Sequence, residues 1–209
     1  MCNLYDIGRP RRQRGDEWEA AMKAVLETLP RRHGIRKTDP APVLKREGGF
    51  PCAHVMRWGF EREFNSAVNN ARFDRLDGPW SSAWRERRRC LFPITTWYEW
   101  HGPAGAKQTF AFESTRGEWL WAAGIWEESK SGLACSMLTR AADPDLAFVH
   151  DRMPALISPE HFRPFLEDED PRGILEDSTL PVRVFRCHNP LDHLARHEGP
   201  ESIDMLPGF

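Results

Sequence analysis

Apolar residues at helical spacing mark one segment near the start of the chain. Between Asp16 and Leu29 they recur three or four residues apart, which places them on one face of an α-helix. Asp16 is a suitable N-cap and Pro30 ends the pattern, so the sequence predicts one amphipathic helix here. The apolar positions are Trp18, Met22, Val25, Leu26 and Leu29.

Short segments rich in aromatic and aliphatic residues dominate the rest of the chain and predict β-strands. The polar stretch 31–49, which contains Pro40 and Pro42, is predicted to be an extended loop, and a short helix is expected at 161–166. Together these elements predict an α+β fold, a single compact domain over residues 1–209 with a mostly antiparallel, barrel-like β core. The predicted strands are 52–58, 90–94, 96–100, 109–113, 119–123, 133–138, 154–157 and 182–186.

The composition excludes several classes of protein. Hydrophobic residues make up 40% of the 209, which is enough for a core, and no apolar run approaches the ~20 residues that a membrane span needs. Arginines at positions 9, 11, 12 and 14 stand where a signal peptide would be apolar, so a cytoplasmic location and no membrane partner are expected. The five cysteines lack Cys-x-x-Cys spacing, which favours reduced thiols over disulfides or a zinc ribbon.

Charge is unevenly distributed along the chain, although the net charge is only −2. Residues 1–104 hold 19 Lys and Arg against 13 Asp and Glu, whereas the remainder holds 10 against 18. This asymmetry permits a basic face for a polyanion, although solvated surface is the commoner reason. Arg85 opens the cluster Arg-Glu-Arg-Arg-Arg at 85–89, which suits either a nucleic-acid backbone contact or an ordinary solvated face.

Cys2 directly follows the initiator methionine. Removal of Met1 would leave Cys2 with a free α-amine and a thiol on neighbouring carbons. The amine can condense with an aldehyde to an imine, and the thiol can then close on the imine carbon as a thiazolidine ring. Their reference pKa values, roughly 8 for the amine and about 8.5 for the thiol, lie near neutrality. Many chains also carry a small second residue for no chemical reason.

Three further segments carry polar side chains of catalytic type. In Asn-Asn-Ala-Arg at 69–72, Asn70 can hold an oxyanion or a sugar hydroxyl, and Arg72 can grip a phosphate. In Val-His-Asp-Arg-Met-Pro at 149–154, His150 can transfer a proton near neutral pH and Arg152 can bind phosphate. Each of these segments alone also has an ordinary structural explanation.

Glu99 stands among aromatic residues in Trp-Tyr-Glu-Trp at 97–100. Burial among them would raise the pKa of Glu99 and make it a usable general acid or base. Strict strand alternation would instead place it on the solvent face, opposite Tyr98 and Trp100. A fourth segment, Met-Arg-Trp-Gly at 56–59, offers Trp58 as a stacking surface for a base, worth on the order of 1–3 kcal/mol, or as a core residue.

These segments occur in a characteristic order. Met-Cys begins the chain, followed by Arg-Trp-Gly at 57–59, Asn-Ala-Arg at 70–72, Arg-Cys-Leu-Phe-Pro at 89–93, Trp-Tyr-Glu-Trp at 97–100 and His-Asp-Arg-Met-Pro at 150–154. The set resembles the SOS-response-associated peptidase (SRAP) family, and the resemblance runs from Cys2 to Leu166. It implies a barrel-like β core with flanking helices and a protein that shields abasic sites in single-stranded DNA. Nothing in the sequence suggests an oligomer, so a monomer without metal or cofactor is expected.

The resemblance also implies roles for individual residues. Cys2 would be the covalent nucleophile after loss of Met1, and its thiazolidine would link protein and DNA. Asn70 would orient the opened deoxyribose, Glu99 would assist proton transfers, and His150 would act as an acid or base that helps reverse or process the adduct. Self-removal of Met1 and DNA lyase activity belong to the same expectation.

The expected DNA contacts come from other positions. Arg72 and Arg152 would hold phosphates beside the lesion, and Trp58 would stack on or wedge against a flanking base. Asn3 and Leu4 replace the usual Gly and Arg, so the chain either binds DNA differently or uses Arg9, Arg11 or Arg12 instead. The remaining candidates are Thr139, Pro40 in a loosely matching Pro-rich loop, and Arg85.

Three alternatives remain open from the sequence. An N-terminal-nucleophile cysteine amidohydrolase would also unmask Cys2, but it needs two stacked antiparallel sheets between helical layers. A non-covalent single-stranded DNA-binding module would leave Cys2 incidental. A metal site is disfavoured because an Asn-Pro pair at 189–190 interrupts its candidate ligands. Those ligands are Cys187, His188, His193 and His197.

Overall fold

Fourteen strands and four α-helices are present in the computed structural model, which describes residues 2–29, 32–176 and 180–203. The helices are α1 (Glu17–Leu26), α2 (Ser81–Arg85), α3 (Phe162–Glu167) and α4 (Arg172–Glu176). The strands are β1 (Leu4–Asp6), β2 (Ile35–Arg36), β3 (Pro40–Glu47), β4 (Phe50–Trp58), β5 (Phe60–Arg62), β6 (Asn65–Val68), β7 (Asn70–Arg72), β8 (Arg89–Ile94), β9 (Thr96–His101), β10 (Gln108–Ser114), β11 (Leu120–Ser129), β12 (Gly132–Ala141), β13 (Arg152–Pro154) and β14 (Val182–Cys187).

A closed five-stranded barrel forms the centre of the molecule. Strands β11, β8, β3, β4 and β12 are hydrogen-bonded in that order, and β12 pairs back with β11 to close the ring. Every pairing in the ring is antiparallel except that of β12 with β4. Closure removes the exposed edges of the sheet, and the apolar run Leu120–Ile125 on β11 is buried throughout.

A second antiparallel sheet packs on the barrel in the order β14, β10, β9, β1, β2. Its β9 strand has Trp97 in the main core and Tyr98 in a smaller cluster with Leu4, Ala111 and Cys187. The predicted α+β class with a mostly antiparallel, barrel-like core is therefore confirmed. The barrel differs from the two stacked sheets that an N-terminal-nucleophile amidohydrolase requires, which removes the structural basis of that alternative.

Two short strands extend the barrel sheet at one end of β12. The parallel strand β7 sets Asn70 beside Met137 and Arg72 beside Thr139. The antiparallel strand β13 sets Pro154 opposite Thr139. Segments distant in sequence thus meet at one place on the barrel.

Helix α1 follows from its local sequence. The Asp16 carboxylate accepts a hydrogen bond from the Glu19 backbone N–H (2.9 Å), and the Glu19 carboxylate accepts from the backbone N–H of Gly15 (3.0 Å). Reciprocal capping of this kind fixes the start of a helix. The buried face carries Trp18 and Met22, as the periodicity predicts, but the helix ends three residues before Leu29.

The prediction of an extended loop over 31–49 is wrong. This stretch contains β2 and the eight-residue strand β3, which pairs with β4 through the turn at Gly48 and Gly49. Both glycines have positive φ (57° and 89°), as a two-residue hairpin requires. Pro40 and Pro42 are tolerated because the pairing of β3 with β8 involves Leu44, beyond both prolines.

The boundaries of other predicted elements shift slightly. The expected strand 154–157 is β13 followed by a single bridge between Leu156 and Ala122, and β11 runs on to Ser129. Within the described parts of the chain, no helix combines the length and apolar character needed to cross a membrane.

Candidate active site

The backbone of Cys2 is anchored by two neighbouring asparagines. The side-chain amide of Asn70 donates to the Cys2 carbonyl oxygen at 2.7 Å, and that of Asn69 donates to the same oxygen at 3.0 Å. Asn69 also donates to Asn3 Oδ1 at 3.1 Å. Because Asn70 lies on β7 beside β12, this double contact fixes the start of the chain against the barrel.

The thiol of Cys2 lies in a closed environment. The residue is fully buried, and Sγ is 3.7 Å from the Leu4 carbonyl oxygen. Burial, followed by the negative charge of Glu99, raises the pKa of the Cys2 thiol far above its ordinary value. The neutral thiol is therefore the favoured form here, and Glu99 is close enough to affect it.

Glu99 is buried, with 3% of its surface exposed. Burial, supplemented by the charge of Asp151, raises the pKa of its carboxyl to about 7. The simple alternation argument does not hold because both faces of β9 are covered: Trp97 packs into the main core and Tyr98 into the second cluster. The pairing of Tyr5 with Trp97 runs β1 antiparallel to β9, which brings the Cys2 end of the chain alongside Glu99.

His150 lies on the loop before β13 and is partly exposed. Burial, with a contribution from the charge of Arg152, lowers the pKa of His150. Its Nδ1 lies 3.0 Å from the Arg152 backbone nitrogen and 2.8 Å from Asp151 Oδ1. The loop is held to β9 because His101 Nδ1 lies 3.1 Å from the Val149 carbonyl oxygen. Asp151, the neighbour of His150, acts on the carboxyl of Glu99.

The two predicted phosphate-binding arginines converge on one carboxylate. Arg152 Nη1 lies 2.9 Å from Asp74 Oδ1, and Arg72 forms an ion pair with the same side chain. Arg152 also donates to the carbonyl and hydroxyl oxygens of Thr139, which is fully buried. Pairing of Arg72 with Asp74 lowers the pKa of that carboxyl well below its usual range. Thr139 thus positions an arginine from within the protein.

The structure does not expose Trp58 as a stacking surface, which corrects that expectation. Trp58 is fully buried, its indole N–H donates to the Asn69 carbonyl oxygen at 2.9 Å, and its ring meets Tyr5 edge to face at 4.8 Å. The residue therefore supports the asparagine pair from beneath. Burial in the barrel wall leaves no face of Trp58 available to a flanking base.

Two further predicted DNA contacts lie on other parts of the surface. Pro40 is exposed at the start of β3, paired with Arg57, and so belongs to a strand and not to the expected Pro-rich loop. Arg85 is exposed at the end of α2, where its Nε lies 3.3 Å from the Ser81 carbonyl oxygen. Their DNA contacts remain predictions.

Three side chains at this site were not predicted from the sequence. Asn69 donates a second hydrogen bond to the Cys2 carbonyl oxygen. Asp74 forms ion pairs with both arginines, and the charge of Asp151 raises the pKa of Glu99. The Asn-Asn doublet was the available signal, since either amide can reach the same carbonyl. The two aspartates gave no signal in the sequence because Asp74 meets Arg152, and Asp151 acts on Glu99, only when distant segments fold together.

The candidate metal ligands do not form a metal site in the described part of the chain. Cys187 ends β14, whereas His197 bonds to Asp6 (2.9 Å) and to the Tyr98 hydroxyl (3.0 Å). Among the residues whose placement is described, no group of three or more His, Cys, Asp or Glu side chains is arranged to hold a metal ion.

The chain is similar to known proteins in sequence and in fold. A curated relative, the abasic site processing protein YedK of Escherichia coli (strain K12), is 27% identical over 139 residues, which cover 63% of this chain and 61% of that protein. The matched region thus spans less than two thirds of the relative's length.

Solved structures share the fold at low identity. A Bacteroides thetaiotaomicron protein superposes with a TM-score of 0.72 at 15% identity, covering 94% of this chain and 95% of that one. A phage-related protein of Bordetella bronchiseptica gives 0.68 at 20% identity, covering 90% and 95%. The model of the family described as SOS response associated peptidase (SRAP) matches residues 1–188. Because that match covers most of the sequence, the chain belongs to the SOS response associated peptidase family.

Proposed function

We propose that this protein captures abasic sites in single-stranded DNA through Cys2, once Met1 has been removed. The main support for the proposal is that the side-chain amides of Asn69 and Asn70 both donate hydrogen bonds to the Cys2 carbonyl oxygen, close to the buried carboxyl of Glu99. Membership of the SRAP family and similarity to a protein named for abasic site processing supply the substrate class.

The reaction uses the aldehyde of the ring-opened abasic deoxyribose. The Cys2 amine forms a bond to C1′ and water leaves, which gives an imine. The sulfur then bonds to the imine carbon, the thiol proton passes to a base, and the imine nitrogen gains a proton, so that a neutral thiazolidine closes. Ring closure is favoured because the amine and thiol belong to one residue.

Glu99 is suited to both proton transfers. With its pKa at about 7, the carboxyl can donate a proton when water leaves and can accept one from the thiol afterwards. The acceptor is needed because burial keeps the Cys2 thiol in its neutral form. A single buried carboxyl thus serves steps that need an acid and a base in turn.

Asn70 has capacity left for the substrate. Its amide nitrogen holds the Cys2 carbonyl, but within the described residues its buried Oδ1 has no hydrogen-bond partner. A hydroxyl of the opened sugar is a donor of matching chemistry. The partly exposed His150 would serve as a proton carrier, and Arg152, which pairs with Asp74, would serve as a phosphate ligand beside the lesion.

Mixing the mature protein with single-stranded DNA that carries one abasic site tests the proposal. Wild type should give a heat-stable adduct on a denaturing gel, and Cys2→Ala should give none, whereas the matched control Cys52→Ala should behave as wild type. Asn70→Ala and Glu99→Gln should slow adduct formation on the order of 100-fold. An adduct of undiminished yield with Cys2→Ala would remove Cys2 from the reaction.

Removal of Met1 by the protein itself is a separate part of the proposal. It is tested by intact-mass measurement in a host that lacks methionine aminopeptidase. Self-processing predicts that wild type loses Met1 and that Glu99→Ala retains it. Equal loss of Met1 in both proteins would assign removal to another enzyme.

A further inference from the structure

A cationic cavity lies on a part of the barrel that the proposed capture reaction does not use. It has a volume of about 440 Å³ and lies between the β3–β4 turn, the start of β8 and the end of α3. Trp126 in its wall pairs with Cys135, four residues before Thr139 on β12, so the cavity is separated from the Thr139 region along that strand. Its charged lining comprises four cations and one carboxylate: Lys45, Arg46, Arg87, Arg89 and Glu167.

Arg46 is the most informative of these cations. Its side chain is 9% exposed, Nε lies 3.0 Å from Glu167 Oε1, and Nη2 donates to the Gly49 carbonyl oxygen. Within the described residues, the buried Nη1 has no hydrogen-bond acceptor. A buried charged donor left without an acceptor destabilises the folded state, so this atom favours a ligand that supplies oxygen.

Arg89 adds a second under-compensated charge. It is 1% exposed and its terminal nitrogens donate to backbone carbonyls, including those of Phe165 (3.0 Å) and Glu169 (2.9 Å), while its buried Nε has no acceptor in the described chain. Neutral carbonyls satisfy hydrogen bonds but leave the positive charge in place, and the charges of Asp170 and Asp168 offset the cost of its burial only in part. Burial, followed by the charge of Arg87, lowers the pKa of Arg89 to about 10. Two arginine charges therefore act on one another across this cavity.

Arg87 and Lys45 complete the cationic rim. Arg87 is exposed and holds φ at 55°, a conformation that costs an L-residue about 1 kcal/mol but costs glycine nothing. The Lys45 ammonium lies 4.3 Å from the centre of the Trp126 ring and 2.8 Å from Glu47.

We propose that this cavity binds a phosphate group. Arginine presents paired N–H donors that match the oxygens of phosphate, and the buried Nη1 of Arg46 and the exposed Arg87 offer such donors at this cavity. The volume accommodates inorganic phosphate or pyrophosphate, and equally one backbone phosphate of a DNA strand that passes over the rim. The proposal does not depend on abasic-site capture.

Calorimetric titration tests the site directly. Inorganic phosphate and pyrophosphate are titrated into the Cys2→Ala protein, with potassium chloride holding the ionic strength constant. Binding should weaken about tenfold in Arg46→Gln, because one charge-assisted contact is lost. Arg87→Gly should weaken it at least threefold without destabilising the fold, since glycine suits that backbone conformation. The control Arg163→Gln, an exposed arginine 4.0 Å from Glu17, should bind as the parent does.

The source of the phosphate is decided by a second arm with intact single-stranded DNA that lacks an abasic site. Occupancy by a strand phosphate predicts that Arg87→Gly reduces the slope of log affinity against log salt by about 0.7. An unchanged slope, with phosphate binding still weakened in the variant, identifies a free phosphate compound. Absence of both phosphate binding and a slope change, or equal binding by all variants, would overturn the proposal. None of these results requires Cys2, so a failure of phosphate binding can be distinguished from a failure of abasic-site capture.

Discussion

Burial sets the protonation states of the two groups on which the proposed chemistry depends. The carboxyl of Glu99 has its pKa raised from 4.5 to about 7, and the thiol of Cys2 has its pKa raised further by the charge of that carboxyl. Near neutral pH Glu99 can therefore exchange a proton while Cys2 remains a thiol. The same burial makes Glu99 a liability for folding once it is ionised.

Glu99 should make the stability of the protein pH-dependent. Its folded pKa lies above its unfolded value, so its contribution to stability is full below pH 4.5 and is lost as pH rises through 7. The change amounts to about 3 kcal/mol. Urea unfolding measures this effect. The free energy of unfolding of Glu99→Gln, relative to that of wild type, should therefore rise by about 3 kcal/mol between pH 4.5 and pH 8. The exposed strand variant Glu128→Gln is the control, and parallel pH profiles for Glu99→Gln and wild type would contradict the assignment.

Asp74 holds the two arginines that the DNA-binding hypothesis needs. Because its carboxylate pairs with Arg72 and Arg152, a DNA phosphate must compete with it. Asp74→Asn should therefore strengthen binding of abasic single-stranded DNA several-fold at low salt and steepen its salt dependence. Fluorescence anisotropy across a salt series measures both quantities. Asp77→Asn is the control, because Asp77 forms an exposed ion pair with a different arginine, Arg172. Weaker DNA binding in Asp74→Asn would contradict the prediction and show that the carboxylate is needed to orient the two arginines.

At the level of elements, glycines at strand ends set the geometry beneath the site. Gly59, which follows Trp58 at the end of β4, has φ of +127°, and its N–H donates to the Cys135 carbonyl oxygen at 2.8 Å. A Cβ there would lie 3.2 Å from the backbone of Ala67, two residues before Asn69. The turn is thus tight in both conformation and space.

Alanine at Gly59 should cost more than alanine at a glycine with open surroundings. Gly132 has φ of +108°, and a Cβ added there would meet no atom within 4 Å, so Gly132→Ala reports backbone strain alone, about 1–3 kcal/mol. Gly59→Ala adds crowding worth about 1–3 kcal/mol. Urea unfolding of the two variants gives the difference. Gly59→Ala should also slow adduct formation through Asn69 and Asn70, and equal costs at both positions would exclude the crowding effect.

Local patterns predicted most strands but failed where pairing overrides propensity. The capped helix after Asp16 and strands β8 to β10 follow from apolar spacing alone. The stretch 31–49 was misassigned because prolines and charges in β3 are tolerated by its partners, which the sequence does not display. The burial of Glu99 could not be predicted from strand alternation for the same reason. Both faces of β9 are covered by segments that are distant in sequence.

At the scale of the whole molecule, one buried carboxylate joins segments from both halves of the chain. Asp6 on β1 accepts from the Tyr98 hydroxyl (2.6 Å) and the Gly34 N–H (2.7 Å), and it lies 2.9 Å from His197 Nε2. His33 Nδ1 is 3.5 Å away. Because β1 follows Cys2, this cluster ties the segment at 194–197 to the strand that carries the proposed nucleophile.

The Asp6 cluster should govern the acid limit of the fold. Burial alone would raise the pKa of Asp6, but hydrogen bonds from His197, His33 and Tyr98 outweigh it and lower the pKa from 3.8 to about 2. Its contribution is therefore present above pH 3.8 and lost as pH falls through 2, a change of about 2 kcal/mol. Asp6→Asn should be less stable than wild type at pH 7, and that difference should shrink by about 2 kcal/mol at pH 2. The free energy of unfolding is measured across this pH range, with the exposed variant Asp145→Asn as control. A difference between Asp6→Asn and wild type that does not change with pH would mean that the pKa of Asp6 is the same in the folded and unfolded states.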